Sequence, residues 1–279
     1  MSDEYLRGRS AWVTGGASGI GRAIALALAH AGADVAIGSL IEGASFELAS
    51  NQKVYLVGEE EMEQTRTEVE ECSVRAIALP LDVCSDTSVQ ESYHTIVETF
   101  GKIDILVNAA GTMGVHLMID HPDDLWHRTI DINLNGPYRT IKACFPGMVE
   151  RKWGRIINVA STAATLGKDD HSAYSASKSG LLGLTRCVAL EGGAFGVSCN
   201  AVSPGWVATP MGSIRVQEKI EEEGVDMTVE EYRAGIARGY PQKRLVTPEE
   251  IAAATVFLCR EEAFGITAEN ITVAAGGVW

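Results

Sequence analysis

No run of eighteen apolar residues occurs anywhere in this 279-residue chain, so no segment reads as a membrane-spanning helix. The opening MSDEYLRGRS has no apolar stretch of the kind that addresses a chain for export, and the expectation is a soluble, cytoplasmic protein. Excess positive charge is absent too. With 23 Lys and Arg against 37 Asp and Glu, the net charge is −14, which argues against nucleic acid or an anionic membrane surface as a partner. Much of the acid is local: Glu59, Glu60, Glu61, Glu63, Glu68, Glu70 and Glu71 crowd one helix-like segment, and Glu221, Glu222 and Glu223 another, the pattern of solvated faces. The six cysteines, at 72, 84, 144, 187, 199 and 259, form no C-x-x-C pair and no metal-ligand spacing, and they read as buried free thiols. The loose trio His116, His121 and His127 lacks a zinc-site pattern, so no metal is expected. Repeats, low-complexity tracts and Pro-rich linkers are also missing. With 46% hydrophobic content, the chain is expected to form a single domain over 1–279 around a large core.

What is present is an alternation of short Val/Ile/Ala-rich runs with helical stretches. WVT, DVAI, AIALPLDV, IDILVNAAG, RIINVAS, VSCNAVSP and ITVAA are the predicted strands. They lack regular polar alternation, which suits a parallel sheet covered on both faces. The fold class is therefore α/β, a doubly wound parallel sheet of about seven strands.

The first strand runs into TGGASGIG, Thr14 to Gly21, and then into the helical pattern IGRAIALALAHAG. Glycines let the backbone turn sharply and approach a pyrophosphate, and the helix start offers free N–H groups at the positive end of its dipole. The spacing of Gly15, Gly19 and Gly21 is G-x-x-x-G-x-G, and its place between strand and helix makes it a nucleotide-binding turn.

Tyr174 and Lys178, in YSASK, lie four apart and share one face of a helix. Ser161 stands thirteen positions upstream of the tyrosine, at the end of an apolar run. A phenol titrates near ~10, so ionising it at neutral pH needs a drop of about 3 units, roughly 4 kcal/mol. An ammonium at ~4 Å in an effective dielectric of ~20 supplies about that much. Tyr174 thus reads as an acid/base and Ser161 as a hydrogen-bonding partner for a substrate oxygen. Tyr138 and Lys142 repeat the spacing in YRTIK, but Leu125 stands at the upstream serine position, and packing is the better reading of that pair.

Taken in order, TGGASGIG, LDV at 81–83, NAAG at 108–111, Asn133 in INLNG, Ser161, YSASK and PGWVAT at 204–209 resemble the short-chain dehydrogenase/reductase family, over nearly the full length. The resemblance implies a Rossmann-like fold and an NAD(P)-dependent oxidoreductase interconverting a secondary alcohol and a ketone. It implies catalytic roles for Asn133, Ser161, Tyr174 and Lys178, with Asn133 holding a water that links Lys178 to solvent. It assigns the cofactor to Gly15, Ser18, Gly19, Ile20, Gly21, Ser39, Asp82, Val83, Asn108, Ala109, Gly111, Val207 and Thr209, together with Tyr174 and Lys178. One departure is Ala109, where relatives carry a second asparagine. Homodimers or homotetramers are implied, through helices near 122–150 and 173–191 and a tail near Trp279. Two alternatives stand beside this reading: an NAD-dependent epimerase or dehydratase, and a non-catalytic cofactor-sensing protein.

The end of the second strand places Ser39 where NAD-using relatives often carry an acid, and no basic residue occurs between Gly38 and Gln52 to meet a ribose phosphate. The balance favours NAD over NADP. The stretch IEGASFELASNQKVYLVGEE is expected to be an added loop or hairpin near the adenosine end. Substrate contacts should come from loops at 112–118 and 162–171 and from a lid at about 206–240, with Met113, His116, Ala163, Leu166, His171, Trp206 and Met211 as lining candidates. Such a lining suits an apolar or cyclic alcohol or ketone. The C-terminal half resembles 3-hydroxybutyrate dehydrogenases and polyketide ketoreductases, but Met113, Ala163 and His171 replace the groups that would hold a small carboxylate substrate.

Overall fold

β1 (Ser10–Thr14) is buried along its whole length: Ala11 and Val13 turn to one side of the sheet and Trp12 to the other, so each face has to be covered by helices. In the computed structural model, which describes residues 4–43 and 55–277, the strands that follow are β2 (Asp34–Ser39), β3 (Ala76–Pro80), β4 (Ile105–Asn108), β5 (Gly154–Val159), β6 (Val197–Pro204) and β7 (Asn270–Val273). These seven pair in the order β3-β2-β1-β4-β5-β6-β7, every pairing parallel, as the seven apolar runs predict. The order reverses between β1 and β4, which leaves a crevice outside their carboxyl ends.

Of the helices, α1 (Gly19–His30), α2 (Glu59–Glu70) and α9 (Pro248–Leu258) contribute to one core, with Ile24, Leu28, Val69, Ile251 and Val256 against Val13, Val35 and Ile37. On the other face α3 (Asp86–Phe100), α5 (Gly136–Arg151) and α6 (Ser172–Gly192) pack Val89, Ile96, Ile141, Met148 and Val188 against Trp12, Leu106 and Ile156. The acid-rich α2 keeps only Met62, Thr65 and Val69 buried, so its glutamates do face solvent. The helix expected over 122–150 is interrupted: α4 (Asp123–Ile130) passes through a wide turn at Asp131–Asn135 before α5. Two short helices, α7 (Pro210–Glu223) and α8 (Val229–Gly239), occupy the segment after β6. Thr209 caps α7 by accepting the Gly212 N–H, and Gly224 ends it in the left-handed conformation.

A polar ladder crosses the middle of the molecule. The Thr140 hydroxyl donates to Asn108 Oδ1 (2.6 Å), Asn108 Nδ2 to Asn158 Oδ1 (2.9 Å), and Asn158 Nδ2 to the Thr185 hydroxyl (2.9 Å). It joins α5, β4, β5 and α6, with all four side chains buried.

Three cysteines, at 144, 199 and 259, are buried as expected; Cys72 and Cys84 are only partly so, and Cys187 is exposed on α6. Among the described residues no helix is long and apolar enough to cross a membrane, and no three metal-ligating side chains gather. Most of the expected hairpin, residues 44–54, and the tail at Trp279 lie outside the described residues; what is seen is a parallel bridge between Ile41 and Val57.

Candidate active site

A cavity of about 740 Å³ opens at the carboxyl ends of β1, β4, β5 and β6. Its floor is the glycine turn. A Cβ at Gly15, where φ is +66°, would lie 2.8 Å from Ala110 Cα, and one at Gly21 would lie 2.0 Å from the Gly15 carbonyl oxygen. Only glycine lets the loop close this tightly over the start of α1. Ser18, the N-cap of α1, makes no side-chain cap, so the first N–H groups remain for a ligand. This cradle fits a dinucleotide pyrophosphate.

Gly15, Ser18, Gly19, Ile20, Gly21, Asp82, Val83, Ala109, Gly111, Val207 and Thr209 all line the cavity. Ser39 lines it as well, but its hydroxyl accepts the Ala17 N–H at 3.1 Å and so also braces the glycine turn. Leu40, Tyr55, Leu56 and Val57 build the wall beside it. Asn108 does not reach the cavity, because its amide is spent in the polar ladder.

Ser161 follows β5 and Tyr174 sits in the first turn of α6, one turn before Lys178, so a strand end and a helix start bring the three together. Ser161 Oγ accepts the Ala163 N–H at 3.1 Å and stands close enough to Tyr174 to ease the ionisation of its phenol. The Lys178 ammonium lies 5.9 Å from the Tyr174 ring centroid and donates to the Val159 carbonyl oxygen at 2.8 Å. The charge balance differs from the sequence expectation. Burial pushes the Tyr174 phenol above its ordinary value, opposed only by Ser161, and brings Lys178 down to about 8. Desolvation favours the neutral form of each, so the phenol rests protonated.

Asn133 lies in the wide turn between α4 and α5, buried and outside the cavity lining. Its Oδ1 accepts the Thr112 N–H and its Nδ2 donates to the Thr112 carbonyl and the Ser177 hydroxyl. A Cβ on Gly111 would sit 3.3 Å from Asn133 Oδ1, a tight contact, and 3.6 Å from Lys178 Nζ, so this glycine lies against both. Tyr138 is half exposed on α5 with Lys142 beside its ring, a packing pair away from the cavity.

At the substrate end Met113, Ala163, Leu166, His171, Trp206 and Met211 line the wall. His116 does not. Its N–H donates to the Asp170 carbonyl at 2.7 Å and its ring turns to the Leu117 carbonyl and Asp120, so it pins the 170–171 loop from outside. Sequence reasoning missed Lys168, Arg128 and Tyr240, which also line the cavity. Lys168, its ammonium 5.9 Å from the Trp206 ring centroid, stands beside two aspartates and reads in sequence as surface charge.

A family model described as Enoyl-(Acyl carrier protein) reductase matches residues 15–277. D-beta-hydroxybutyrate dehydrogenase of Cupriavidus necator is 34% identical over 258 residues, 92% of this chain and 93% of that protein. The chain belongs to the short-chain dehydrogenase/reductase family. Among solved members, an actinorhodin polyketide ketoreductase variant with NADPH is 34% identical and superposes with a TM-score of 0.86, covering 97% of both chains. NAD⁺-bound xylitol dehydrogenase is 29% identical with a TM-score of 0.84, covering 97% of this chain and 99% of that one. This short-chain dehydrogenase is an NAD(P)-dependent alcohol/ketone oxidoreductase, and its relatives do not favour the epimerase, dehydratase or non-catalytic alternatives.

The buried lysine of this short-chain dehydrogenase has a thermodynamic consequence. A folded pKa of about 8, below the ~10.4 of an unfolded lysine, means that the unfolded chain holds the proton more tightly. The penalty is full below pH about 8 and fades as pH rises towards ~10.4. Lys178→Met is therefore expected to be inactive yet more stable at pH 7, by roughly 3 kcal/mol at most. Urea unfolding at pH 7 and pH 10 checks this: the gain should shrink at the higher pH.

Proposed function

We propose that this chain reduces an apolar or cyclic ketone to a secondary alcohol, and runs the reverse, with Tyr174 as proton donor and acceptor. The observation that carries the proposal is the meeting of Ser161, Tyr174 and Lys178 on one wall of a cavity whose floor is the glycine cradle. Ser161 donates to the carbonyl oxygen and Tyr174 passes its proton to the same oxygen as charge develops there. Lys178 holds the ribose and supports the charge left on the phenol. Bound nicotinamide supplies or takes the hydride. Gly15, Ser18, Gly19, Ile20 and Gly21 hold the pyrophosphate, Asp82 and Val83 flank the adenine, and Val207 and Thr209 fix the carboxamide. Asn133 steadies Thr112 and the helix that carries Lys178, and holds the water that links Lys178 to solvent. The segment 206–240, with α7 and α8, is the lid of a single domain over 1–279.

The apolar wall of Met113, Leu166, Trp206 and Met211 supports the substrate class. Exposed Tyr138, Leu190, Phe257 and Phe264 support homodimers or homotetramers. NAD is preferred, because among the described residues the wall beside Ser39 offers Leu40, Tyr55 and Val57 and no cation. Leu40→Arg is expected to improve NADPH affinity by tenfold or more, since a single charge-assisted contact contributes about 1.5–3 kcal/mol. Titrating NADH and NADPH into parent and variant, by energy transfer from protein to nicotinamide, reads this directly. The function itself is tested by NADH oxidation on a panel of cyclic and open-chain ketones. Turnover of none of them, with either cofactor, would refute it.

A further inference from the structure

His171 has a fixed tautomer. Its Nδ1 is hydrogen-bonded to an Asp170 carboxylate oxygen and lies 3.1 Å from the Asp169 carbonyl. Both are acceptors only, so Nδ1 carries the ring proton and, in the neutral imidazole, Nε2 carries a lone pair. Among the described residues nothing else bonds the ring, and His171 is a buried residue of the cavity wall, its ring edge-on to Tyr174 at 6.1 Å between centroids.

Asp170 is itself held in place. Its second carboxylate oxygen takes Arg215 of α7 at 3.0 Å, with Lys219 at 3.8 Å, and its backbone sits at φ +61° while its carbonyl accepts the His116 N–H. Arg215 is buried and braced by Glu218 and Glu222. A non-glycine residue keeps such a backbone only where its surroundings hold it. Burial and the nearby Lys168 depress the His171 pKa, outweighing Asp170, so the imidazole is neutral at pH 7.

We propose that His171 Nε2 accepts a hydrogen bond from a second hydroxyl of the substrate, so that the preferred ketone carries a hydroxyl group close to its carbonyl. The proposal rests on the alcohol/ketone reading above and narrows it. Tyr174 and Ser161 address the reacting oxygen, and His171, on the same loop and helix start, addresses the neighbouring one. Through Asp170 and Arg215 the acceptor is tied to the first helix of the lid segment, so substrate recognition and the position of α7 are joined.

The experiment compares three probes: cyclohexanone, its alpha-hydroxy derivative, and the methyl ether of that derivative, which can accept but not donate. The parent protein is expected to favour the hydroxy ketone in kcat/KM by about tenfold or more over both others. In His171→Leu the ratio of hydroxy ketone to ketone should fall to about one, whatever the absolute rates. Asp170→Asn, a residue at ease in the left-handed backbone, frees the ring to carry its proton on Nε2, and the ratio of hydroxy ketone to ether should drop towards one. Equal use of the three ketones by the parent protein would overturn the proposal while leaving the reductase reading intact, whereas turnover of none would remove that reading. A measurement independent of turnover uses ¹⁵N spectra of the histidine ring in NAD-loaded Tyr174→Phe protein. The proposal expects the Nδ1–H tautomer and a shift of Nε2 with the hydroxy ketone alone. An Nε2–H tautomer, or no selective shift, overturns it.

Discussion

Tyr174→Phe is expected to lower kcat by about 10²- to 10⁴-fold, the range that a positioned acid or base contributes, with NADH affinity held within a few-fold. The substitution removes one oxygen from a ring that keeps its place in the first turn of α6, so the cavity and the Lys178 contact with Val159 survive. Burial raises the phenol above its usual value, which keeps it protonated through neutral pH, the form that ketone reduction needs. Reduction by the parent protein should therefore run flat from pH 6 to about 7 and fall as Lys178 gives up its charge near 8, and alcohol oxidation, which needs the phenolate, should climb with pH from neutral upwards. Steady-state rates in both directions, with the dissociation constant of NADH measured separately, decide the matter. A variant retaining a tenth of the parent kcat would move the acid/base role to another group.

Gly21→Ala should abolish tight cofactor binding. The new methyl would stand 2.0 Å from the Gly15 carbonyl oxygen and 2.7 Å from its carbon, and both are backbone atoms of the turn itself, with no flexible side chain to give way. Forcing the turn open costs about 3 kcal/mol or more, which is upwards of a hundredfold in affinity even if the sheet stays intact. Gly265→Ala is the control, because no atom lies within 4 Å of the Cβ it would gain. Calorimetric titration with NADH and thermal unfolding of both variants separate a local defect from a global one. Parent-like affinity in Gly21→Ala would mean that the turn does not seat the pyrophosphate.

The seven apolar runs were readable as strands because a parallel strand buried on both faces needs little beyond β-branched and aliphatic residues. The glycine turn and YSASK were readable for a related reason: their residues lie within one or two turns of chain, and local geometry brings them together. The interruption at Asp131–Asn135 was not, since the inward turn that buries Asn133 depends on Thr112 and Ser177, which belong to other segments. The same holds for Asp170 and Arg215, forty-five residues apart, and for His116, whose ring turns away from the cavity that its backbone helps to shape. The electrostatics of Tyr174 and Lys178 was not readable either. Spacing placed the ammonium beside the phenol, but the cost of removing both from water is a property of the packed interior, and it reversed the sign of the expected effect on Tyr174.

The ladder of Thr140, Asn108, Asn158 and Thr185 bears on how the chain finds its fold. Plain aliphatic strands tolerate sliding past one another, since one valine packs much like the next. In this sheet the pairing of Asn108 with Asn158 joins β4 to β5 directly beside the point where strand order reverses. A slip of one residue would turn one amide to the opposite face and strand its partners in a dry interior, at about 1–3 kcal/mol for each orphaned group. Misaligned packed states are thereby penalised, and the buried amides act as a proofreading device for the register of the sheet.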